Sequence, residues 1–184
     1  MIHPDTFVQP TDRGMGLFAS RDFARGEILW ILDDHDIKID LDTFETIDEK
    51  QKVKFNIYGY LDFQKRVIVP WDEGKYVNHS CDPNSTGLLQ YDNVSLALRD
   101  IKAGEEIVED YGSYFGHFES FECRCGSPNC RGLISEHHKF KADLRINLKD
   151  ISDRLKSFDQ YLLRIETFEN REFLKVLEAV EVSA

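Results

Sequence analysis

The stretch Asn78-His79-Ser80-Cys81-Asp82-Pro83-Asn84 places an amide, an imidazole, a thiol and a carboxylate within one short loop, which Pro83 stiffens. Taken alone, His79 is more often a hydrogen-bonded structural histidine than a catalyst. Asn78 is equally suited to a turn. This loop offers several kinds of hydrogen-bonding and metal-binding group. Its function therefore depends on which distant segments of the chain contact it.

The chain has four cysteines, and three of them, Cys123, Cys125 and Cys130, lie close together among turn residues. Thiolates at this spacing are typical of a tetrahedral zinc site, and Cys81 is the only cysteine left to supply the fourth ligand. We therefore predict one structural zinc ion per chain, bound by all four thiolates. The alternatives are disulfides, which a reducing compartment disfavours, and free thiols.

A glycine pattern near the N-terminus, Gly14-Met15-Gly16-Leu17-Phe18-Ala19, matches the GxGxxA fingerprint of dinucleotide-binding folds. The flanking sequence argues against such a fold, because residues 9–13 are not an apolar strand and residues 20–26 form a poor helix. Two positions without a side chain would instead let a flat ligand approach the main chain closely. An ordinary glycine turn is the alternative.

Most of the sequence before residue 113 reads as short strands broken by turns. Strands are predicted at residues 28–32, 57–63, 67–69, 94–98 and 106–108, and a short helix is predicted at residues 42–53 with Asp42 or Thr43 as its cap. Tyr111 follows the last of these strands, where a packed aromatic with a satisfied hydroxyl is the simplest interpretation. Many strands and one small helix predict a mainly β core.

The sequence after residue 135 has a helical pattern. Apolar residues recur there at alternating spacings of four and three: Leu144, Leu148, Ile151, Leu155, Phe158, Leu162 and Ile165. A second short helix is predicted around residues 173–180. The apolar seam must be buried either within the chain or in a homodimer, and its short length favours burial within the chain.

Composition limits the classes of partner. The 184 residues, 41% of them hydrophobic, fit one soluble domain with an appendage, and neither a leader nor a membrane span is evident, so we expect an intracellular protein of the cytoplasm or nucleus. The formal net charge of −11 repels phosphate backbones and disfavours direct nucleic-acid binding. The same charge would attract a lysine-rich peptide or basic protein.

Four segments in chain order resemble the signature of SET-domain lysine methyltransferases with a post-SET zinc module. They are Arg13-Gly14-Met15-Gly16-Leu17-Phe18, the loop at 78–84, the segment from Gly104-Glu105-Glu106-Ile107 to Asp110-Tyr111-Gly112, and the cysteine cluster at 123–130. The resemblance implies a mainly β fold of small curved sheets in which a threaded segment brings Asn78 and His79 beside Tyr111. It implies a SET catalytic domain at 1–112 and a post-SET zinc-binding segment at 113–134, and it leaves 135–184 as a C-terminal helical extension.

The same resemblance implies S-adenosylmethionine as methyl donor. The backbone around Arg13, Gly14, Met15 and Gly16 is expected to hold its methionine part, while Asn78 and His79 anchor its amino-acid and adenine portions. Tyr60 is expected as a further contact, and Tyr111 as the catalytic residue beside the transferring methyl group. Aromatic residues that follow are expected to form the walls of a lysine channel and the cover over the adenine: Tyr114, Phe115, Phe118 and Phe121.

The implied reaction is methyl transfer to the side-chain amine of a lysine in a protein substrate, either a histone or another basic protein. No dedicated general base is expected, because a dry channel and the adjacent sulfonium would favour the neutral amine. Glu109 departs from the family, in which many members carry an aromatic residue there that helps to set how many methyl groups are added. The sequence also lacks the cysteine-rich segment that precedes some histone-specific members.

Two alternatives to an enzyme remain open. A catalytically impaired SET-like module would bind a peptide without methylating it, which Glu109 favours and which Asn78, His79 and Tyr111 oppose. A zinc-stapled scaffold would place the function in the helical tail.

Overall fold

The computed structural model describes residues 1–62, 64–88, 91–114, 120–135 and 137, so the tail helices, their proposed role in dimerisation, Phe115 and Phe118 lie outside the described residues. The described part is mainly β, as predicted. Its strands are β1 (Thr6–Thr11), β2 (Gly14–Ala19), β3 (Ile28–Ile31), β4 (Ile37–Asp40), β5 (Tyr60–Leu61), β6 (Arg66–Val69), β7 (Asn78–His79), β8 (Ser85–Leu88), β9 (Tyr91–Ala97), β10 (Val108–Glu109), β11 (Phe121–Glu122) and β12 (Leu133–Ile134). Its helices are α1 (Leu41–Phe44), α2 (Glu49–Tyr58) and the short 3-10 helices Glu73–Tyr76 and Tyr111–Ser113.

The largest sheet has five strands in the order β3-β9-β8-β10-β7. Its pairings are antiparallel except at β10, which runs parallel to both β7 and β8. Parallel neighbours cannot be joined by a tight hairpin, so a long connection must carry the chain back to β7. Three smaller sheets surround it: the β1-β2 hairpin, the three strands β4-β6-β5 and the β11-β12 pair.

The main core lies between the β1-β2 hairpin and the five-stranded sheet. It contains Leu17, Phe23, Leu29, Ile101 and Ile107, each with at most 1% of its surface exposed. All four residues of β3 are buried, which explains why its sequence is a continuous apolar run instead of an alternating one. The packing is therefore tight where the hairpin approaches the segment that leads into β10.

Two glycine turns precede β3 and the segment that leads into β10. The second of these strands, predicted at residues 106–108, is Val108–Glu109, and Glu106 forms only an isolated bridge to Phe18. Gly26 and Gly104 have φ values of 81° and 82°, in the left-handed region that a residue with a Cβ rarely adopts. Gly26 donates its backbone N–H to the Ala97 carbonyl at 2.7 Å, and Gly104 donates to the Ala19 carbonyl at 2.7 Å. The turns thereby connect distant strands as well as reversing the chain.

The helix predicted at residues 42–53 is wrong in its bounds. The chain forms two helices there, and the longer one, α2, is capped by Asp48, which accepts hydrogen bonds from the N–H groups of Lys50 and Gln51. Residues 57 and 58, predicted as strand, belong to the end of α2. None of the helices in the described ranges is both long and apolar enough to cross a membrane.

Candidate active site and metal centre

The glycine-rich stretch forms a strand in a hairpin. Gly14 has a φ of 109°, which favours glycine, and no helix follows β2, as a dinucleotide-binding fold would require. A Cβ added at Gly16 would lie 2.6 Å from Glu106 Oε1 and 2.8 Å from Thr11 Cγ2. Glycine is therefore needed at position 16 so that the Glu106 carboxylate can approach the hairpin.

Glu106 contacts residues that were predicted to hold the cofactor. Its carboxylate forms an ion pair with Arg13 and accepts a hydrogen bond from Asn78 Nδ2 at 2.8 Å. Asn78 Nδ2 also donates to the Met15 carbonyl at 3.0 Å, and Arg13 donates to the His79 carbonyl at 2.8 Å. The hairpin and β7 are thus joined by a network of charged and amide groups. Glu106 was not among the predicted site residues, although it lies in the segment leading to Tyr111.

The parallel pairing of β10 with β7 brings the loop at 78–84 against the tyrosine segment. Val108 is the register partner of Asn78, and Glu109 is the partner of His79. The backbone N–H of Tyr111 donates to His79 Nδ1 at 3.1 Å, and the two rings lie 5.3 Å apart. The proximity of Asn78 and His79 to Tyr111, which the resemblance implied, is present in the structure.

His79 is held as a neutral imidazole. Its pKa is lowered to about 4, chiefly because burial disfavours the charged ring, and the nearby guanidinium groups of Arg131 and Arg13 lower it further. Nδ1 accepts from Tyr111, so the ring proton belongs on Nε2, which lies 3.4 Å from Cys81 Sγ. One ring nitrogen of His79 therefore orients the tyrosine segment, and the other contacts the cysteine cluster.

The Tyr111 hydroxyl is fixed and protonated at neutral pH. It donates to the Val77 carbonyl at 2.9 Å. Burial and the negative charge of Glu109 both raise the pKa of Tyr111 above its ordinary value. A phenolic oxygen can accept a hydrogen bond as well as donate one, so Tyr111 is chemically suited to contact an N–H group.

The four cysteines converge as a metal site requires. The Sγ atoms of Cys81, Cys123, Cys125 and Cys130 all lie within 4.8 Å of one another, and no disulfide joins them. A tetrahedral zinc ion with Zn–S bonds of about 2.3 Å separates its sulfur ligands by about 3.8 Å. Cys81 Sγ and Cys123 Sγ are 3.8 Å apart. The donor set and its spacing therefore fit zinc, and the disulfide alternative is wrong for this structure.

Arg131 connects the cysteine cluster to the tyrosine segment. One guanidinium nitrogen lies 2.7 Å from both carboxylate oxygens of Asp110, while Nε lies 3.4 Å from Cys81 Sγ. Asp110 is almost completely buried, and its Oδ1 also accepts from the Gly112 N–H at 2.9 Å. Neither Arg131 nor Asp110 was predicted to have a role in the site, although they are adjacent in sequence to Cys130 and Tyr111, which were.

A cavity of about 430 Å³ opens beside Tyr111. Its walls include Tyr60, Tyr114 and Phe121, and the ring of Tyr114 lies 4.9 Å from that of Tyr60. The predicted channel residues Tyr114 and Phe121 thus line this cavity, and Tyr60 joins them there. Exposed apolar residues of α2 border the cavity as well: Val53, Ile57 and Tyr58.

The structure has small sheets, a parallel contact between β10 and β7, and a cysteine cluster. These features define the class of mainly β domain that the ordered motifs resemble. The chain belongs to the SET domain family, whose sequence model matches residues 14–112.

Its relatives are much longer proteins. The chain is 32% identical over 143 residues to the "Variant-silencing SET domain-containing protein" of Plasmodium falciparum, covering 68% of this chain and 5% of that protein. It is 43% identical over 68 residues to "Histone-lysine N-methyltransferase ash1" of Drosophila melanogaster, covering 33% of this chain and 3% of that protein. A solved structure from Plasmodium falciparum, described as a candidate histone methyltransferase, has a TM-score of 0.43 at 22% identity and covers 63% of this chain and 96% of that one.

Proposed function

We propose that this chain transfers a methyl group from S-adenosylmethionine to the side-chain amine of a lysine in a protein substrate. The observation that carries the proposal is the contact of Tyr111 with His79 at the wall of an aromatic cavity. Membership of the SET domain family supports it, as does the similarity to the Drosophila melanogaster protein named a histone-lysine N-methyltransferase.

The network around Glu106 is where the cofactor would bind. Asn78 uses both amide hydrogens within the protein, so its Oδ1 remains as an acceptor for an ammonium group. The main chain of residues 13–16 offers backbone groups beside it, and His79 supplies a neutral ring. When bound there, S-adenosylmethionine supplies a methyl group already activated on a sulfonium. The protein's task is then to align the amine and exclude water.

Tyr111 is proposed as the residue that aligns the substrate amine. Tyr111 lines the cavity, its hydrogen bond to the Val77 carbonyl fixes its hydroxyl in place, and a hydroxyl is a group that can orient an amine. The aromatic walls formed by Tyr60, Tyr114 and Phe121 suit the aliphatic stem of a lysine. Tyr60, expected from the resemblance to contact the cofactor, also lines this cavity.

The four cysteines are proposed to bind one structural zinc ion per chain. Zinc would fix the segment at 123–130 against the loop containing Cys81, which also carries His79. Its role would be to hold the site together without taking part in the reaction.

A basic protein is the substrate class that the charge favours. The net charge of −11 would attract a lysine-rich segment, and histones are the class named in relatives of this family. A histone substrate would place the activity in the nucleus.

The second candidate is a peptide-binding module without catalysis, and Glu109 is the observation that favours it. The two functions are separated by measuring methyl transfer and cofactor binding together. Calorimetry with S-adenosylmethionine and transfer of labelled methyl groups to histones are both expected to be positive. Binding of a lysine peptide without detectable transfer would favour the module.

A further inference from the structure

Glu109 is a buried carboxyl group in the wall of the cavity. Only 4% of the residue is exposed, and it lies two positions before Tyr111 on β10. The Ser95 hydroxyl donates to Oε1, and the Tyr114 hydroxyl donates to Oε2. These two hydroxyls come from β9 and from the residue after the Tyr111–Ser113 helix, so the carboxyl is held from two sides.

No cation compensates this carboxyl within the described ranges of the chain. The neighbouring strands contribute Ser85 on β8, Ser95 on β9 and His79 on β7, and the cavity tyrosines lie beside them. Lys75 also lines the cavity, but its ammonium group donates to the Trp71 carbonyl. Burial raises the pKa of Glu109 to about 7, although the hydrogen bond from Ser95 partly offsets the effect. A carboxyl that takes up and releases a proton near neutral pH is suited to general acid–base work.

The proposed reaction requires a group that can accept a proton. A lysine side chain with a pKa of about 10.4 enters as an ammonium ion, whose nitrogen has no lone pair for attack on a methyl group. One proton must leave before transfer. His79 is turned toward Tyr111 and Cys81, and the Tyr111 hydroxyl is already protonated and donates to Val77.

We propose that the Glu109 carboxylate is the general base that accepts this proton, an inference that rests on the proposed methyl transfer. An N–H bond of the ammonium breaks and leaves its electron pair on nitrogen, while an O–H bond forms on Glu109. The amine lone pair then forms an N–C bond to the methyl group while the S–C bond breaks, which leaves a neutral thioether as the leaving group and a methylammonium ion as the product. The carboxylic acid returns its proton to water when the product leaves. This role differs from the expectation from sequence that no dedicated base is needed.

The Glu109→Gln variant tests the proposal. An amide keeps an acceptor for the Ser95 or Tyr114 hydroxyl but cannot take a proton, so a purely structural role would be largely preserved. Wild-type kcat/KM is expected to rise with pH to a plateau above an inflection near pH 7. The variant is expected to lose that inflection and to be slower by about 10²- to 10⁴-fold at pH 7, the usual contribution of a general base.

A second readout does not depend on turnover. Because folding raises the pKa of the Glu109 carboxyl from 4.5 to about 7, stability is lost as pH rises from about 4.5 to about 7 and the loss is complete above that range. The melting temperature of Glu109→Gln relative to wild type is therefore expected to increase between pH 5 and pH 8. An equal difference at both pH values would overturn the titration on which the proposal depends.

Ser95→Ala provides the matched control, because it removes one donor to the carboxylate and leaves the base in place. The inflection in kcat/KM is expected to persist and to move to higher pH. An inflection retained in Glu109→Gln, or unmoved in Ser95→Ala, would refute the role of Glu109 while leaving methyl transfer intact. Absence of methyl transfer by the wild type would overturn the proposed function and this inference together.

Discussion

Replacing Arg131 with leucine is expected to destabilise the tyrosine segment although the two are far apart in sequence. The Arg131 guanidinium is the cationic partner of Asp110, and only 2% of the Asp110 side chain is exposed. The leucine in Arg131→Leu replaces the apolar stem of the arginine but not its guanidinium, so the Asp110 carboxylate stays buried without its cationic partner. The backbone turn that holds Tyr111 depends on the same carboxylate through the Gly112 N–H.

Removing one member of a buried ion pair costs about 3–5 kcal/mol. We expect the lower end, about 3 kcal/mol, because 25% of the Arg131 side chain is exposed and water can replace part of the interaction. For a domain of this size each kcal/mol lowers the melting temperature by about 2–4 °C, so the expected decrease is about 6–12 °C.

Thermal unfolding of zinc-loaded protein, followed by circular dichroism, measures this decrease. Arg124→Leu is the matched control in the same segment, because its ion pair with Glu122 is exposed and is worth less than about 1 kcal/mol. Adding Asp110→Asn to Arg131→Leu is expected to recover part of the loss, since no charge then stays buried. Equal melting temperatures for Arg131→Leu and Arg124→Leu would refute the reasoning.

Two further changes test the cofactor site and the metal centre. Gly16→Ala is expected to displace Glu106 and weaken binding of S-adenosylmethionine about tenfold or more by calorimetry, the value of a charged hydrogen bond. Asp42→Ala, an exposed position on α1, should leave the affinity unchanged, and equal affinities in both variants would contradict that placement. Elemental analysis is expected to find one zinc per chain and none in Cys81→Ser, and chelation is expected to weaken cofactor binding because Cys81 contacts His79 and Arg131; full zinc in that variant, or an affinity indifferent to chelation, would contradict the shared site.

The sequence identified segments that act locally. The glycine turns at 26 and 104 were predictable because a left-handed φ nearly demands glycine, and the cysteine cluster was predictable because few structures need thiols at that spacing. The helix at 42–53 was misplaced because Asp42, Thr43 and Asp48 are all good caps. In the structure Asp48 acts as the cap, and α2 begins after it.

Residues that act through distant contacts were not predictable in the same way. Glu106 belongs to the site because Gly16 leaves room for its carboxylate, and Arg131 belongs because the cysteine segment folds back on Asp110. Charged residues are common on protein surfaces, so neither position stands out in a sequence pattern. Glu109 was noticed as a departure, but its burial among hydroxyls follows only from the order of strands in the sheet.

Transfer of labelled methyl groups from S-adenosylmethionine to histones and to a cell lysate, by wild type and by Tyr111→Phe, tests the central claim most directly. We predict that the wild type labels lysine side chains, as mass spectrometry of the product would identify. Loss of the Tyr111 hydroxyl is predicted to lower the rate by at least about tenfold, the value of one hydrogen bond in the transition state. A wild type that binds the cofactor but labels no protein, or a Tyr111→Phe variant with undiminished turnover, would contradict the account.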